Sequence, residues 1–475
     1  MLDLKLNDLK PSARIYFVGI GGISMSGLAI LSQGMGFTVG GSDNHPSERT
    51  ELLSERGMTI YNSQEARNID DFNPDYIVKT AAILPHNKEL ARATEKGIRV
   101  FDRAEFLGII TNSYDRVINI SGTHGKTTTT SMTSIMLIES GLDPTVHLGA
   151  PLDYFKGSVR LGEGKNYLVS EACEFNRSFL QFRSTTAAIT NIDHDHVDCY
   201  PTLDDVINVF AEFMDNTDDD GFVVVTGTDG NIKKAIEIEK SRRDEQGRGM
   251  PTVITCSMDG SDADFKAVNI TYKDGCPDFD IYFKGESLGH VLLKIPGAHN
   301  VANSLIAAAC AYLNGASPEA ITKTLNEFGG ADGRFTVKGT YKGCEVVVDY
   351  AHHPTAAKVT IDAAMHVPHN KLWVVFQPLT FNRVQLLFED YVTALLPCSK
   401  VLFAEIFSDR EVNTGVISSK DIADEINRRG GDAEFFSEKS DLKARLDELI
   451  NPGDLILILG PEDIRALGDE LCPES

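Results

Sequence analysis

The 475-residue sequence lacks the features that mark membrane, disulfide-rich and nucleic-acid-binding proteins. It has 45 basic against 69 acidic side chains, and the net charge of −24 disfavours nucleic acids and acidic membranes as partners. No apolar run is long enough for a transmembrane helix. The eight cysteines form no Cys-x-x-Cys pair, so neither a zinc site nor a disulfide framework is indicated. We therefore expect a cytoplasmic protein, whose small-molecule ligands can still be anionic.

The length of the chain allows about three domains of ~150 residues each. Hydrophobic residues make up 42% and charged residues 24%, which is typical of a soluble globular protein. Short apolar strands alternate with helical segments along the chain, and this alternation predicts α/β domains with parallel sheets. We place the domains at residues 1–112, 113–328 and 329–475.

The stretch SGTHGKTTTT lies between an apolar strand and an apolar-periodic helix. A glycine turn in this position directs backbone N–H groups to one point, where the helix N-terminus and Lys126 add positive charge. The hydroxyl of Thr127 or Thr128 is placed to ligate Mg²⁺. Gly122 and Gly125 are closer together than in the standard phosphate loop. The sequence thus predicts a phosphate cradle, and the alternative is a glycine turn with a chance lysine.

A second glycine turn, in RIYFVGIGGISMSG, opens the first domain. Gly19 and Gly21 begin the turn, and Ser24 takes the third small position of a dinucleotide fingerprint. Asp43 ends the next strand, about where an acid would bind a ribose. The pattern fits a nicotinamide domain or a tight turn in an ordinary α/β unit. We expect the loop to bind a diphosphate.

Acidic and histidine side chains follow two further strands of the second domain. Glu171 ends the strand in YLVSE, and the run from Asp193 to Asp198, which contains His196, follows the strand in AAITNI. The carboxyl ends of parallel strands present functional side chains at one edge of a sheet. Beside a phosphate loop, these residues predict a magnesium site, although a His-x-His pair can also be plain surface.

Polar residues also stand out in the remaining part of the chain. In GAHNVANSL, Asn300 and Asn303 lie on the polar edge of a helix and could read a base or cap the helix. The strand in CEVVVDYAHHP ends at Asp349, shortly before His352. Three more apolar strands complete a third α/β unit, and Arg383 follows one of them.

Six motifs in order give the chain a resemblance to the Mur ligase family, in particular to the branch that joins L-alanine to UDP-N-acetylmuramate. They are VGIGGISMSGLA with GSD, SGTHGKTTTT, SEACEFNRSF, TNIDHDHVD, GAHNVANSL and VDYAHHPT. The resemblance implies a three-domain α/β architecture, with a Rossmann-like N-terminal domain, a central P-loop-type ATPase domain and a Rossmann-like C-terminal domain. It implies that the first domain binds a UDP-sugar rather than a nicotinamide.

The resemblance also implies an ATP-dependent carbon–nitrogen ligase of peptidoglycan precursor synthesis. In such an enzyme the lactyl carboxylate of UDP-N-acetylmuramate attacks the γ-phosphate of ATP, and the amine of L-alanine then displaces phosphate from the acyl phosphate. Lys126 would balance charge on the transferring phosphoryl group. Thr127 or Thr128, Glu171 and His196 would hold Mg²⁺.

The remaining site residues are carried over from the same resemblance. Asn300 and Asn303 would face adenine, Asp349 the ribose and Arg334 the phosphates after domain closure. The ATP-binding set is Gly122, Thr123, His124, Gly125, Lys126, Thr127, Thr128, Asn300, Asn303, Arg334 and Asp349. The catalytic set is Lys126, Glu171, His196, Arg334 and His352. The substrate-binding set is Gly19, Gly21, Gly22, Ser24, Met25, Ser26, Asp43 and Arg383.

Departures from the branch are densest in the third domain. After FQP the branch has histidine, arginine, an aromatic residue, Ser/Thr, arginine and threonine, and this chain keeps Arg383 and an aromatic residue. Gly333 stands where an arginine is expected before Arg334. Three interpretations stay open: an L-alanine-adding ligase, a paralogue that uses another amine or UDP-sugar acid, and a non-catalytic UDP-sugar- or nucleotide-binding protein. A homodimer is the assembly we consider.

Overall fold

The computed structural model describes residues 4–80, 83, 86–408 and 411–473. In this part of the chain three sheets form, at residues 14–102, 116–292 and 336–459. The predicted α/β class with parallel sheets is confirmed. None of the helices described here combines the length and the apolar character that crossing a membrane requires.

The N-terminal unit is a five-stranded sheet flanked by helices. Its elements are β1 (Arg14–Val18), α1 (Ile23–Gly34), β2 (Thr38–Ser42), α2 (Glu48–Glu55), β3 (Thr59–Tyr61), α3 (Ala66–Phe72), β4 (Tyr76–Lys79), α4 (Lys88–Glu95), β5 (Arg99–Asp102) and α5 (Arg103–Thr111). The strands are parallel, in the order β3-β2-β1-β4-β5. The central strand β1 reads IYFV, an apolar run buried on both faces, as helices on both sides of a sheet require.

The central unit is built on a ten-stranded sheet. Its elements are β6 (Arg116–Ser121), α6 (Lys126–Glu139), β7 (Thr145–Leu152), β8 (Gly157–Arg160), β9 (Tyr167–Glu171), β10 (Ser184–Ile189), α7 (Leu203–Asp215), β11 (Thr217–Thr226), α8 (Gly230–Gln246), β12 (Thr252–Ser257), β13 (Phe265–Lys273), β14 (Cys276–Phe283), β15 (Glu286–Leu292), α9 (His299–Leu313) and α10 (Pro318–Glu327). The order is β15-β14-β13-β12-β11-β10-β6-β9-β7-β8. The pairs β7–β8, β13–β14 and β14–β15 are antiparallel extensions of a parallel centre.

Strand β6 lies between β9 and β10, so the loop after β6 is supported from both sides. Met132 and Met136 of α6 and Leu305 of α9 share one buried cluster with Ile118 and Ile120 of β6. This packing fixes where α6 begins relative to the end of β6. It therefore holds the predicted phosphate loop in a defined position.

The C-terminal unit is a six-stranded sheet. Its elements are β16 (Thr336–Tyr341), β17 (Cys344–Asp349), α11 (Pro354–Met365), β18 (Leu372–Phe376), α12 (Phe381–Leu386), α13 (Phe388–Leu395), β19 (Val401–Ala404), α14 (Ser419–Arg428), β20 (Ala433–Phe436), α15 (Lys439–Leu449), β21 (Leu455–Leu459) and α16 (Glu462–Leu471). The order is β16-β17-β21-β18-β19-β20, and of the strands described in this sheet only the edge strand β16 is antiparallel to its neighbour. The predicted domain boundaries fall between α5 and β6 and between α10 and β16.

Candidate active site

The phosphate loop joins β6 to α6 in a conformation that only glycine adopts without strain. Gly122 has φ +131° and Gly125 has φ +84°. A Cβ at Gly122 would lie 2.0 Å from Oγ1 of Thr190, and one at Gly125 would lie 2.4 Å from Oδ1 of Asn303. Both glycines are therefore required by close approach as well as by backbone shape. The loop ends at Lys126, the first residue of α6, where the N–H groups of the helix are free to bind an anion.

Lys126 is folded back over its own loop. Its Nζ donates to the backbone oxygens of Gly122 (2.5 Å) and Thr123 (3.1 Å) and forms an ion pair with Glu174 at 2.9 Å. Burial lowers the pKa of Lys126, but the nearby Glu174 carboxylate outweighs burial and raises that pKa above its ordinary value. The lysine therefore stays protonated at the mouth of the phosphate loop.

Glu174 is the residue that the sequence analysis missed. It is 2% exposed, and its Oε1 lies 3.5 Å from Nε2 of His196. Burial raises the pKa of Glu174, but Lys126 and His196 together lower it to about 2. Nδ1 of His196 is buried without a hydrogen-bond partner in the described structure. The cluster thus pairs the ionised carboxylate of Glu174 with the imidazole of His196, one nitrogen of which has no hydrogen-bond partner among the described residues.

The predicted magnesium ligand Glu171 lines a large cavity together with Lys126 and His196, but it is not part of the cluster around Glu174. Its Oε2 accepts a hydrogen bond from the backbone N–H of Gly149 at 2.9 Å. The potential ligand atoms of Cys173, Glu174 and His196 lie within 4.8 Å of one another, and Glu171 belongs to no such group among the described residues. Burial raises the pKa of the Cys173 thiol to about 11, so this side chain is neutral and a poor Mg²⁺ ligand. The geometry favours Glu174 as the partner of His196.

A second cluster connects the central and C-terminal units. Nε2 of His124 lies 3.1 Å from Oδ2 of Asp193, and the hydroxyl of Thr355 donates to the same oxygen at 2.7 Å. The ring of His353 lies 4.8 Å from that of His124, centroid to centroid. Burial and the charge of His124 lower the pKa of His353 to about 4. His353 also caps α11, since its Nδ1 accepts from the backbone N–H of Thr355.

Arg334 of the C-terminal unit reaches the phosphate loop. Its Nη2 lies 3.4 Å from Oγ1 of Thr127, and its guanidinium lies over the ring of Tyr350 at 5.0 Å. Together with the contact of Thr355 with Asp193, this shows that the C-terminal unit contacts the central unit beside the phosphate loop. Arg334 thus lies beside the phosphate loop, and its role at the phosphates stays a prediction.

Arg383, predicted to bind substrate, is held in a buried ion pair. It is 2% exposed, and its Nε donates to Oδ1 of Asp195 at 2.7 Å, while Nη1 donates to the backbone oxygen of Leu379. Burial alone would raise the pKa of Asp195, but the Arg383 charge holds it well below its ordinary value. Arg383 therefore connects the two units and is not a free carboxylate receptor in this conformation.

The residues predicted to bind adenosine line the same cavity, with much of their hydrogen-bonding capacity already used. Nδ2 of Asn303 donates to Oδ1 of Asn300 at 3.1 Å. Asp349 accepts from the backbone N–H groups of Phe335 and Ala351, both at 2.7 Å. Burial raises the pKa of Asp349. The predicted adenine and ribose contacts stay predictions.

His352 is also buried in the wall of the cavity. Its Nδ1 lies 2.8 Å from the backbone oxygen of Tyr350, so Nδ1 carries the proton and Nε2 keeps its lone pair. Burial and then the charge of Arg383 lower the pKa of His352 well below its ordinary value. This histidine is therefore neutral near pH 7.

The glycine turn of the N-terminal unit is held by Asp43. The Asp43 carboxylate accepts from the backbone N–H groups of Gly21 (2.9 Å) and His45 (3.0 Å). Gly19 has φ +83°, as a tight turn after β1 requires. Asp43 thus shapes the loop, and its predicted contact with a ligand is not tested by this geometry.

All three units contribute to one cavity of about 1360 Å³. The predicted residues that line it are Ser26, Thr123, His124, Gly125, Lys126, Thr127, Thr128, Glu171, His196, Asn300, Asn303, Arg334, Asp349, His352 and Arg383. Within the described residues, the predicted residues outside the lining are Gly19, Gly21, Gly22, Ser24, Met25, Asp43 and Gly122. The cavity thus collects most of the ATP and catalytic set, and two of the eight predicted substrate residues.

Ser24 instead takes part in a contact between the first two units. Its Oγ accepts from Nη1 of Arg103 at 3.0 Å and lies 3.3 Å from Nε2 of His147. His147 is 3% exposed, and burial together with the charge of Arg103 lowers its pKa to about 4. Its Nδ1 has no hydrogen-bond partner in the described part of the chain. The contact therefore requires a neutral imidazole.

This neutral imidazole should make the protein sensitive to mild acid. The unfolded chain binds a proton at His147 near pH 6.5, whereas the folded chain binds it only near pH 4. Stability from this site is therefore complete above pH 6.5 and is lost as the pH falls toward 4, by up to about 3 kcal/mol. Urea unfolding at pH 7 and pH 5 measures the loss. His147→Gln should show a smaller loss than the unmodified chain, and equal losses would contradict the assignment.

Models of three Mur ligase domains match the chain in order. The Mur ligase family catalytic domain matches residues 14–115, the Mur ligase middle domain residues 120–311, and the Mur ligase glutamate ligase domain residues 333–461. A UDP-N-acetylmuramate–L-alanine ligase of Clostridium botulinum is 40% identical over 456 residues, 96% of each chain. The chain belongs to the Mur ligase family. The resemblance drawn from the six sequence motifs is thereby confirmed.

Two further relatives agree with this result. A UDP-N-acetylmuramate–L-alanine ligase of Caldanaerobacter subterraneus is 38% identical over 470 residues, which cover 98% of this chain and 99% of the relative. The crystal structure of the UDP-N-acetylmuramate-alanine ligase MurC of Thermotoga maritima matches with a TM-score of 0.78 and 26% identity. That match covers 97% of this chain and 98% of the solved one. The similarity therefore extends over all three units.

Proposed function

We propose that this Mur ligase joins L-alanine to the lactyl carboxylate of UDP-N-acetylmuramate at the expense of ATP, in peptidoglycan precursor synthesis. The near full-length similarity to ligases of that name supports the substrates. The observation that carries the chemistry is the contact of Arg334 with Thr127, which places a cation of the third unit over the phosphate loop. A cytoplasmic location fits the cysteines, since none of the eight forms a disulfide within the described residues.

Different residues of the cavity would bind and stabilise the phosphates during phosphoryl transfer. The N–H groups at the start of α6 and the Lys126 ammonium would bind the phosphates of ATP, and Arg334 would add a second charge from the other side. This arrangement stabilises the charge that develops as the substrate carboxylate attacks the γ-phosphate. Closure of the C-terminal unit over ATP would exclude water and so protect the acyl phosphate until the amine displaces phosphate.

The residues at the phosphate loop also fit Mg²⁺. The Glu174 carboxylate and the hydroxyls of Thr127 and Thr128 offer the oxygen ligands that this ion prefers, and His196 adds a nitrogen. The Lys126 ammonium now pairs with Glu174, so a cation already occupies that side of the carboxylate. When bound by these residues, Mg²⁺ would neutralise negative charge on the phosphates. Glu171 remains the alternative ligand, because it lines the same cavity.

Binding of the amino acid is the step in which this chain should differ from other family members. Its carboxylate needs a cation in a dry site, and a bidentate arginine suits it best. Arg383 is committed to Asp195, and the neighbouring Leu379 and Thr380 carry no charge. The loss of one charge-assisted contact weakens binding about ten- to a hundredfold. We therefore expect the KM for L-alanine to be about ten- to a hundredfold higher than in a Mur ligase that has both arginines of the motif after FQP.

A screen of the common amino acids tests the proposed function. Phosphate release is measured with ATP, Mg²⁺, UDP-N-acetylmuramate and one amine at a time. Release with L-alanine and a high KM is the expected result, whereas a low-micromolar KM would refute the argument from Arg383. Release only with a larger, more apolar amine would identify a paralogue with another substrate. Absence of release with every amine would favour a non-catalytic nucleotide- or UDP-sugar-binding protein.

A further inference from the structure

The guanidinium of Arg465 has no hydrogen-bond or ion-pair partner among the described residues. It lies in the first turn of α16 and lines the cavity. Its Nε is buried without a hydrogen-bond partner. Within residues 4–80, 83, 86–408 and 411–473, its guanidinium forms neither a hydrogen bond nor an ion pair. A buried donor of a charged group is costly when unpaired, so an acceptor on a ligand in the cavity would be stabilised here.

The backbone opposite Arg465 leaves room for this guanidinium. Gly333 has φ +66°, and a Cβ at this position would lie 2.0 Å from Nη1 of Arg465. Any larger residue at position 333 would therefore displace the arginine. The observed position of the Arg465 guanidinium therefore depends on glycine at position 333.

Arg465 and Arg334 flank one aromatic ring. The Cζ atom of Arg334 lies 5.0 Å from the ring centroid of Tyr350, and that of Arg465 lies 5.4 Å from it. Cation–π attraction holds both guanidiniums near the ring, although their charges repel each other. The adjacent Asp349 carboxylate feels both charges but already accepts two backbone N–H groups. The two arginines therefore have one carboxylate nearby, that of Asp349, which already accepts two hydrogen bonds. The excess of positive charge favours an anionic ligand.

We propose that Arg465 binds the polyphosphate of the nucleotide alongside Arg334. The phosphate is favoured over another anion because Arg334, on the same ring, contacts Thr127 of the phosphate loop. The inference rests on the proposed function for the identity of the nucleotide. It adds that α16, as well as the phosphate loop and Arg334, supplies a charge to the phosphates. Arginine suits this task because its planar fork pairs with phosphate oxygens.

Calorimetric titration of the full chain with Mg²⁺-ADP tests the proposal. Arg465→Ala should raise the Kd for ADP about ten- to a hundredfold, since it removes a charge-assisted contact. Arg465→Lys keeps the charge without the fork and should give a smaller increase. Arg428→Ala is the matched control, because Arg428 is an exposed arginine of the same unit that pairs only with Glu425 among the described residues. Thermal unfolding of each variant shows whether it is folded.

The steady-state constants distinguish the other outcomes. The expected pattern is a raised KM for ATP with unchanged KM values for UDP-N-acetylmuramate and L-alanine. An ADP affinity of folded Arg465→Ala within twofold of the unmodified chain would overturn the proposal. A raised KM for L-alanine alone would also overturn it, by making the ligand the amino-acid carboxylate. Because ADP binding needs no ligation, a chain that binds ADP through Arg465 but joins no amine would keep this inference and refute the proposed function.

Discussion

Lys126→Ala should lower kcat for phosphate release by about a thousandfold or more. Lys126 places a full positive charge at the N-terminus of α6, inside a cavity where water screens charge poorly. That charge is worth several kcal/mol to the transferring phosphoryl group. The variant is assayed with ATP, Mg²⁺, UDP-N-acetylmuramate and L-alanine, each in excess. A kcat within tenfold of the unmodified chain would refute the role of Lys126.

The same change also affects stability, and the controls must separate the two effects. Removal of Lys126 leaves Glu174 buried without its cation, which costs about 3–5 kcal/mol in comparable sites. Lys126→Met keeps the volume of the side chain and limits cavity formation. Lys323→Ala is the matched control, since Lys323 forms an exposed ion pair with Glu139 in the same unit. Melting temperatures of all three variants identify any loss of folded protein.

Glu174→Gln should lower kcat about a hundred- to a thousandfold and raise the Mg²⁺ concentration needed for half-maximal activity. The amide has the shape of the carboxylate but no charge, and Mg²⁺ prefers charged oxygen ligands. The native carboxylate, with its pKa near 2, is ionised at every pH used for assay. A Mg²⁺ titration of initial rates measures both effects.

Glu171→Gln provides the matched comparison. Glu171 lines the cavity and lies three residues before the buried Glu174, but among the described residues only Glu174 pairs with both Lys126 and His196. We expect Glu171→Gln to reduce kcat less than tenfold and to leave the Mg²⁺ requirement unchanged. The reverse result, in which Glu171→Gln alone raises the Mg²⁺ requirement, would show that the original prediction from the strand end was right.

The sequence by itself determined the architecture and the phosphate loop. Alternating apolar strands and periodic helices are local patterns, so three α/β units could be predicted from them. The glycines of SGTHGKTTTT have positive φ angles, as a tight turn between a strand and a helix predicts, whereas the close approaches of Thr190 and Asn303 to them are tertiary contacts. The order of the six motifs was enough to identify the family, as the matches to the three Mur ligase domains confirm.

Only the tertiary structure decided which charges meet. Glu174 follows β9 in an irregular turn without periodicity, so the strand-end pattern pointed to Glu171 alone, and only the fold shows that Glu174 pairs with Lys126 and His196. Arg383 pairs with Asp195, 188 residues away in sequence, and no local pattern predicts such a contact. Arg465 occupies the space left open at Gly333, which depends on how α16 packs beside β17. Ion pairs form between residues that are close in space, whereas sequence patterns describe neighbours along the chain. Contacts between the third unit and the central unit therefore could not be predicted from the sequence.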